Sequence, residues 1–157
     1  MTQELAQDIL TRAMTAGLTV TTAESCTGGM VAAAITDIAG SSNIFERGVV
    51  TYSNAAKVDL LSVRPATLEA HGAVSEEVAA EMAEGARSRA GAGLAVSVSG
   101  IAGPGGSAHK PEGRVCFGLA SAAGTQTETV EFGALGRAQV RAAATRHALT
   151  LLRNALP

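Results

Sequence analysis

LAVSVSGIA (94–102), whose end overlaps GIAGPGGSAHKPEG (100–113), decides the fold. The first stretch is apolar and β-branched, the pattern of a buried strand. The second is Gly- and Pro-rich and reads as a loop. On its N-terminal side, LTVTTA (18–23) and GVVTYS (48–53) are two further strand candidates. Helical patterns lie between them. Leu5, Ile9, Leu10 and Ala13 mark a helix over 2–16 that stops at Gly17, and MVAAAITDIA (30–39) is closed by Gly40. A short helix is expected near 55–61. Ser75 followed by Glu76 and Glu77 starts another that runs to about Ala90. On the C-terminal side, RVCFGLASA (114–122) and TQTETVEFG (125–133) pair across Ala123-Gly124, and a last helix covers about 136–154.

Strands separated by helices predict one α/β domain over 1–157, with three layers and a mixed, mostly parallel sheet flanked by helices. The last two strands, joined by a turn alone, supply the antiparallel part. A length of 157 residues suits a single core. That core must be aliphatic, because aromatics make up only 3% of the chain, with no Trp, three Phe and one Tyr.

Charge narrows the function. Twelve Lys and Arg against fourteen Asp and Glu give a net charge of -2, which speaks against a general nucleic-acid binder. No apolar run approaches a membrane span. The start, MTQELAQDIL, reads as an amphipathic helix rather than a signal peptide, so a cytoplasmic protein is expected. Cys26 and Cys116 make neither a disulfide framework nor a zinc site, and His71, His109 and His147 lack metal-ligand spacing. Neither metal nor cofactor is called for.

Four places have the residues for chemistry. Glu24-Ser25-Cys26-Thr27-Gly28-Gly29 lies where a strand hands over to a helix, the position at which open α/β sheets collect ligands. Ser25 and Thr27 cap the helix or serve catalysis; position alone does not separate the two, nor Ser25 from Cys26 as nucleophile. In Tyr52-Ser53-Asn54-Ala55-Ala56-Lys57, lysine is the notable residue. Only Lys57 and Lys110 are lysines among the twelve cations, and lysine, unlike arginine, becomes a base when burial lowers its pKa. Against this stands the commoner case of a solvated surface lysine. The loop from Ser99 through Gly100, Gly103, Gly105 and Gly106 has the glycines of an N–H nest for phosphate, without the order of a Walker or dinucleotide loop. Arg137 and Arg141 stand one turn apart at the start of the last helix, where an anion would relieve their conflict with the helix dipole. Solvation, or pairing with Glu128 or Glu131, would do so equally. His147, on the apolar side of that helix, reads as a core histidine.

AESCTGG (23–29), GSSNIFERGVVTYSNAAKVDLL (40–61), HGAVSEEVAAEMAEGAR (71–87) and VSGIAGPGG (98–106) together resemble the C-terminal domain of the competence-damage-inducible protein CinA, a domain similar to the stand-alone bacterial nicotinamide-nucleotide amidases. The resemblance spans nearly the whole chain. It implies hydrolysis of the carboxamide of nicotinamide mononucleotide to nicotinate mononucleotide and ammonia, in a homo-oligomer that binds a small nucleotide substrate. It also implies Ser25 as nucleophile, grouped with Tyr52 and Lys57. Thr27, Gly28, Gly29, Ser99, the loop glycines and the arginines would then hold substrate. Lys57 would act on Ser25 directly or through Tyr52. Relatives often read Gly-Asp-Arg before the last helix; Leu135-Gly136-Arg137 keeps the arginine and lacks the acid.

Overall fold

The computed structural model describes residues 1–157. A five-stranded sheet lies between two helical layers. In chain order the elements are α1 (Thr2–Ala16), β1 (Val20–Glu24), α2 (Met30–Thr36), β2 (Val49–Val50), α3 (Asn54–Leu61), α4 (Pro65–His71), α5 (Glu76–Ala90), β3 (Leu94–Gly100), β4 (Arg114–Ser121), β5 (Gly124–Glu131) and α6 (Arg137–Ala155). The strand order is β2-β1-β3-β4-β5. The pairs β1–β2 and β1–β3 are parallel, and β3–β4 and β4–β5 antiparallel. Four of the five strands therefore run one way and β4 alone is reversed, which is the mixed sheet expected.

The alternation of β3 sorts the layers. Leu94, Val96 and Val98 face α1, α2 and α6 in the larger core cluster. Ala95 faces the other side, where Val78, Met82, Ala83 and Ala86 of α5 pack. Side chains on that second face are small, and α5 comes close. Ser97 Oγ donates to the Ala79 carbonyl at 2.6 Å, and a Cβ on Gly118 would stand 2.4 Å from the same oxygen. Gly118 is thus a packing residue. Gly17 and Gly91 end α1 and α5 in the left-handed conformation, and Ser75 Oγ accepts from Val78 N to start α5.

Some boundaries differ from expectation. β2 keeps only Val49 and Val50 of the stretch 48–53, because the chain then turns away to begin α3. α2 stops at Thr36 rather than 39. The sequence pattern does not mark α4; Pro65 opens it at the position where a missing N–H costs nothing. His147 is half-buried, its ring tilted 52° at 4.5 Å from that of Phe117 and bonded to Glu128, so it sits at the edge of the core and not within it as expected. No helix is long and apolar enough to cross a membrane.

Candidate active site

β1 ends in adjacent residues whose side chains serve opposite sides of the sheet. Glu24 is fully buried under α2. Its Oε1 accepts from Thr27 Oγ1 (2.6 Å), Gly29 N (3.2 Å) and Val31 N (2.9 Å), and its Oε2 from Ala32 N (3.0 Å). The N–H donors at the start of α2, which a ligand at this strand end would otherwise meet, are therefore engaged by the protein's own carboxyl group. Glu24→Ala would leave these buried donors without an acceptor. It is expected to cost at least about 3 kcal/mol of stability, read as a lowered denaturant midpoint.

Ser25 lies on the other side. Its N–H donates to the Val98 carbonyl at 2.9 Å, fixing it against β3. Its Oγ accepts from Lys57 Nζ at 2.9 Å, and the same ammonium donates to the Thr51 carbonyl at 2.7 Å. Lys57 rises from the first turn of α3, which Ser53 caps by accepting from Ala56 N at 3.0 Å. It is not the solvated surface lysine that base rates favour: only 1% of it is exposed. Burial lowers its pKa from 10.5 to about 8, with a smaller opposing influence from Cys26.

Cys26 is a poorer nucleophile here. It belongs to the core cluster, and burial raises its thiol to about 11 although the Cys26 and Gly100 amides and Arg141 oppose the rise. The Cys26 amide donates to no backbone carbonyl.

A cavity of about 390 Å³ opens over Ser25 and Lys57, a size suited to a small-molecule ligand. Ser99, Gly100, Gly103, Gly105, Gly106, Tyr52 and Arg137 line it. Hollows of about 480 Å³ elsewhere are as large or larger, but only this one joins a buried amine to a hydroxyl. Ser99 Oγ donates to the Ala73 carbonyl at 2.8 Å, which leaves its lone pairs for a ligand donor. At the rim, Arg137 donates to Tyr52 Oη and to the Gly103 carbonyl, both at 2.8 Å.

Several expected contacts are corrected. Tyr52 is 59% exposed and bonds Arg137, so Lys57 reaches Ser25 without it. Thr27, Gly28 and Gly29 do not line the cavity; Thr27 is turned to Glu24 and Gly28 N donates to the Ser25 carbonyl. Arg141 does not line it either. Its guanidinium holds the Cys26 carbonyl at 3.0 Å and the Thr27 carbonyl at 3.4 Å, bracing the turn that carries Ser25. Neither arginine pairs with Glu128 or Glu131, which are taken by His147 and Arg114. Lys110 and His109, for which no contact was expected either way, do not line the cavity, and the Lys110 ammonium donates to the carbonyls of His71 and Val74. Asn54 and Val74 do line it, and no sequence signal points to them because neither residue type marks a site by itself.

The model of the CinA C-terminal domain matches residues 2–156. The nicotinamide-nucleotide amidohydrolase PncC of Escherichia coli K12 is 58% identical over 137 residues, covering 87% of this chain and 83% of that protein. Among solved structures, the competence/damage inducible protein CihA from Agrobacterium tumefaciens superposes with a TM-score of 0.93 at 48% identity, over 96% of this chain and 93% of that one. A competence or damage-inducible protein from Enterobacter asburiae reaches 0.96 at 35% identity, over 100% and 99%.

Proposed function

This chain belongs to the CinA C-terminal domain family, and from that membership we propose that it hydrolyses the carboxamide of a nicotinamide nucleotide, with Ser25 as nucleophile and Lys57 as its base. The 2.9 Å contact between a buried amine and the Ser25 hydroxyl, at the floor of a nucleotide-sized cavity, carries the assignment. A module that only binds nucleotides has no need of that pair.

Neutral Lys57 takes the Ser25 proton as Oγ bonds to the carboxamide carbon, and the C=O electrons move onto oxygen. The Cys26 amide, next to the nucleophile and without a backbone partner, supports this oxyanion. Collapse breaks the C–N bond. The leaving nitrogen takes the proton from Lys57 and departs as ammonia, leaving an acyl-Ser25 ester. Water, deprotonated by Lys57, then attacks the ester; nicotinate forms and Ser25 regains its proton. The pyridinium ring draws electrons from its carboxamide and so assists both additions. Arg137, on the rim beside the glycine loop, is the cation available to the nucleotide phosphate, because it lines the cavity and Arg141 does not.

Ammonia release from nicotinamide mononucleotide tests the reading, and wild-type protein that releases none defeats it. The pH profile tests the base. Lys57 works only when neutral, so kcat/KM is expected to rise about tenfold per pH unit below the Lys57 pKa. It should level off above about 8. A profile flat from pH 6 to 9 removes Lys57 from the role.

A further inference from the structure

The glycine loop that walls the cavity is tied from behind by a carboxylate outside the cavity. Glu112 Oε1 accepts from Gly105 N at 2.6 Å, and its Oε2 accepts from Gly136 N at 3.3 Å. Gly136 is the residue at which α6 begins, so one side chain joins the loop to the helix that carries Arg137. Packing is close as well: a Cβ on Gly103 would lie 2.5 Å from Glu112 Cδ, and Gly103 takes a positive φ of 92°. Arg137 then returns from α6 to the Gly103 carbonyl and to Tyr52 Oη. Loop, carboxylate, helix start and guanidinium form a closed ring of contacts. α6 has no acidic residue in its first turn and no side-chain cap of its own. Glu112 supplies the negative charge there from another part of the chain. The Gly105 amide, expected to meet phosphate, is held by Glu112 instead.

We propose that Glu112 is a positioning residue, one that sets the glycine loop and the start of α6 in register so that Arg137 is presented at the cavity rim. This rests on the reaction proposed above for what it does to turnover, but not for what it does to the loop. Glu112 touches neither Ser25 nor Lys57 and does not line the cavity, so its loss acts on substrate holding and leaves proton transfer alone.

Two measurements on Glu112→Ala test this. In steady-state ammonia release, KM for nicotinamide mononucleotide is expected to rise about tenfold while kcat moves less than about threefold. The pH midpoint stays where wild type has it. In an Arg137→Ala background, removing Glu112 changes KM by less than about twofold, because the two act through one ring of contacts. An unchanged KM in the single variant overturns the proposal, as do effects that multiply in the double variant. The second measurement is amide hydrogen exchange without substrate. Glu112→Ala should speed exchange at Gly105 and Gly136 by about tenfold and leave the amides of β3 unaltered. No change at Gly105 overturns the proposal. Faster exchange throughout β3 does so too, since Glu112 would then support the sheet rather than the rim. If wild type releases no ammonia, the amidohydrolase reading falls and the exchange data alone judge the latch.

Discussion

Ser25→Ala is expected to lower ammonia release by at least about 10³-fold, with substrate binding nearly intact. The hydroxyl is the atom that Lys57 Nζ meets at 2.9 Å, and alanine leaves the rest of the wall in place. The change removes no partner from a buried backbone group, because the Ser25 N–H keeps its bond to Val98. The buried Lys57 ammonium keeps only the Thr51 carbonyl, so a loss of about 1 kcal/mol with the fold intact is expected, and circular dichroism and thermal melting check that. The neighbouring Cys26→Ala variant separates the rival nucleophile. With its thiol raised to about 11 and packed in the core, Cys26 should be dispensable for bond cleavage. Turnover in Cys26→Ala is expected within about fivefold of wild type. Loss of turnover in Cys26→Ala with retention in Ser25→Ala would transfer the role to sulfur.

Lys57→Met should separate activity from stability. Methionine fills a similar volume without an amine, so turnover is expected to fall by about 10³-fold or more. The fold, by contrast, should gain. A lysine whose pKa drops from 10.5 to about 8 binds its proton more weakly in the folded chain than in the unfolded one. Below pH 8 both states hold the proton, and folding carries the full cost of burying it. Stability then rises between about 8 and 10.5 as the unfolded chain alone retains the proton. The cost at neutral pH is on the order of 3 kcal/mol, of which the lost bond to the Thr51 carbonyl takes back a part. A net gain of about 1–2 kcal/mol is expected for Lys57→Met at pH 7 in denaturant unfolding, and the rise above pH 8 should vanish. Equal or lower stability at pH 7, with the alkaline rise intact, would show that Lys57 is not held with a lowered pKa. Arginine is no substitute at this position, since it keeps its proton.

Much of this was legible in the order of residues. The apolar alternation of 94–100 and the glycine at 17 mark elements because each acts over a few residues. α4 escaped because LSVRPATLEAHGA has no clear apolar face, and only Pro65 hints at a start. Ser25 and Lys57 stood out by type: a serine at a strand end, and one of two lysines in an arginine-rich chain. Their meeting depends on how α3 lies against β1, which no local pattern encodes. The contacts misjudged at the two turns share one cause. Glycines and threonines at a turn have donors, but the sequence is silent on which side of the turn these face. Glu24 and Glu112 take the very amides that composition offers to a ligand, and nothing in composition sets either apart from other acids.

The junction of Glu24 and Ser25 has a consequence for how this protein can change. The last residue of β1 and the one after it point oppositely, so Glu24 holds up a helix while Ser25 faces the cavity and Lys57. A slip of one residue in that strand would put serine beneath α2 and a carboxyl group against Lys57. Architecture and chemistry would be lost in the same step. Insertions and deletions are therefore barred from β1 by two independent requirements, and variation in substrate choice has to come from the loop and the rim, where neither applies.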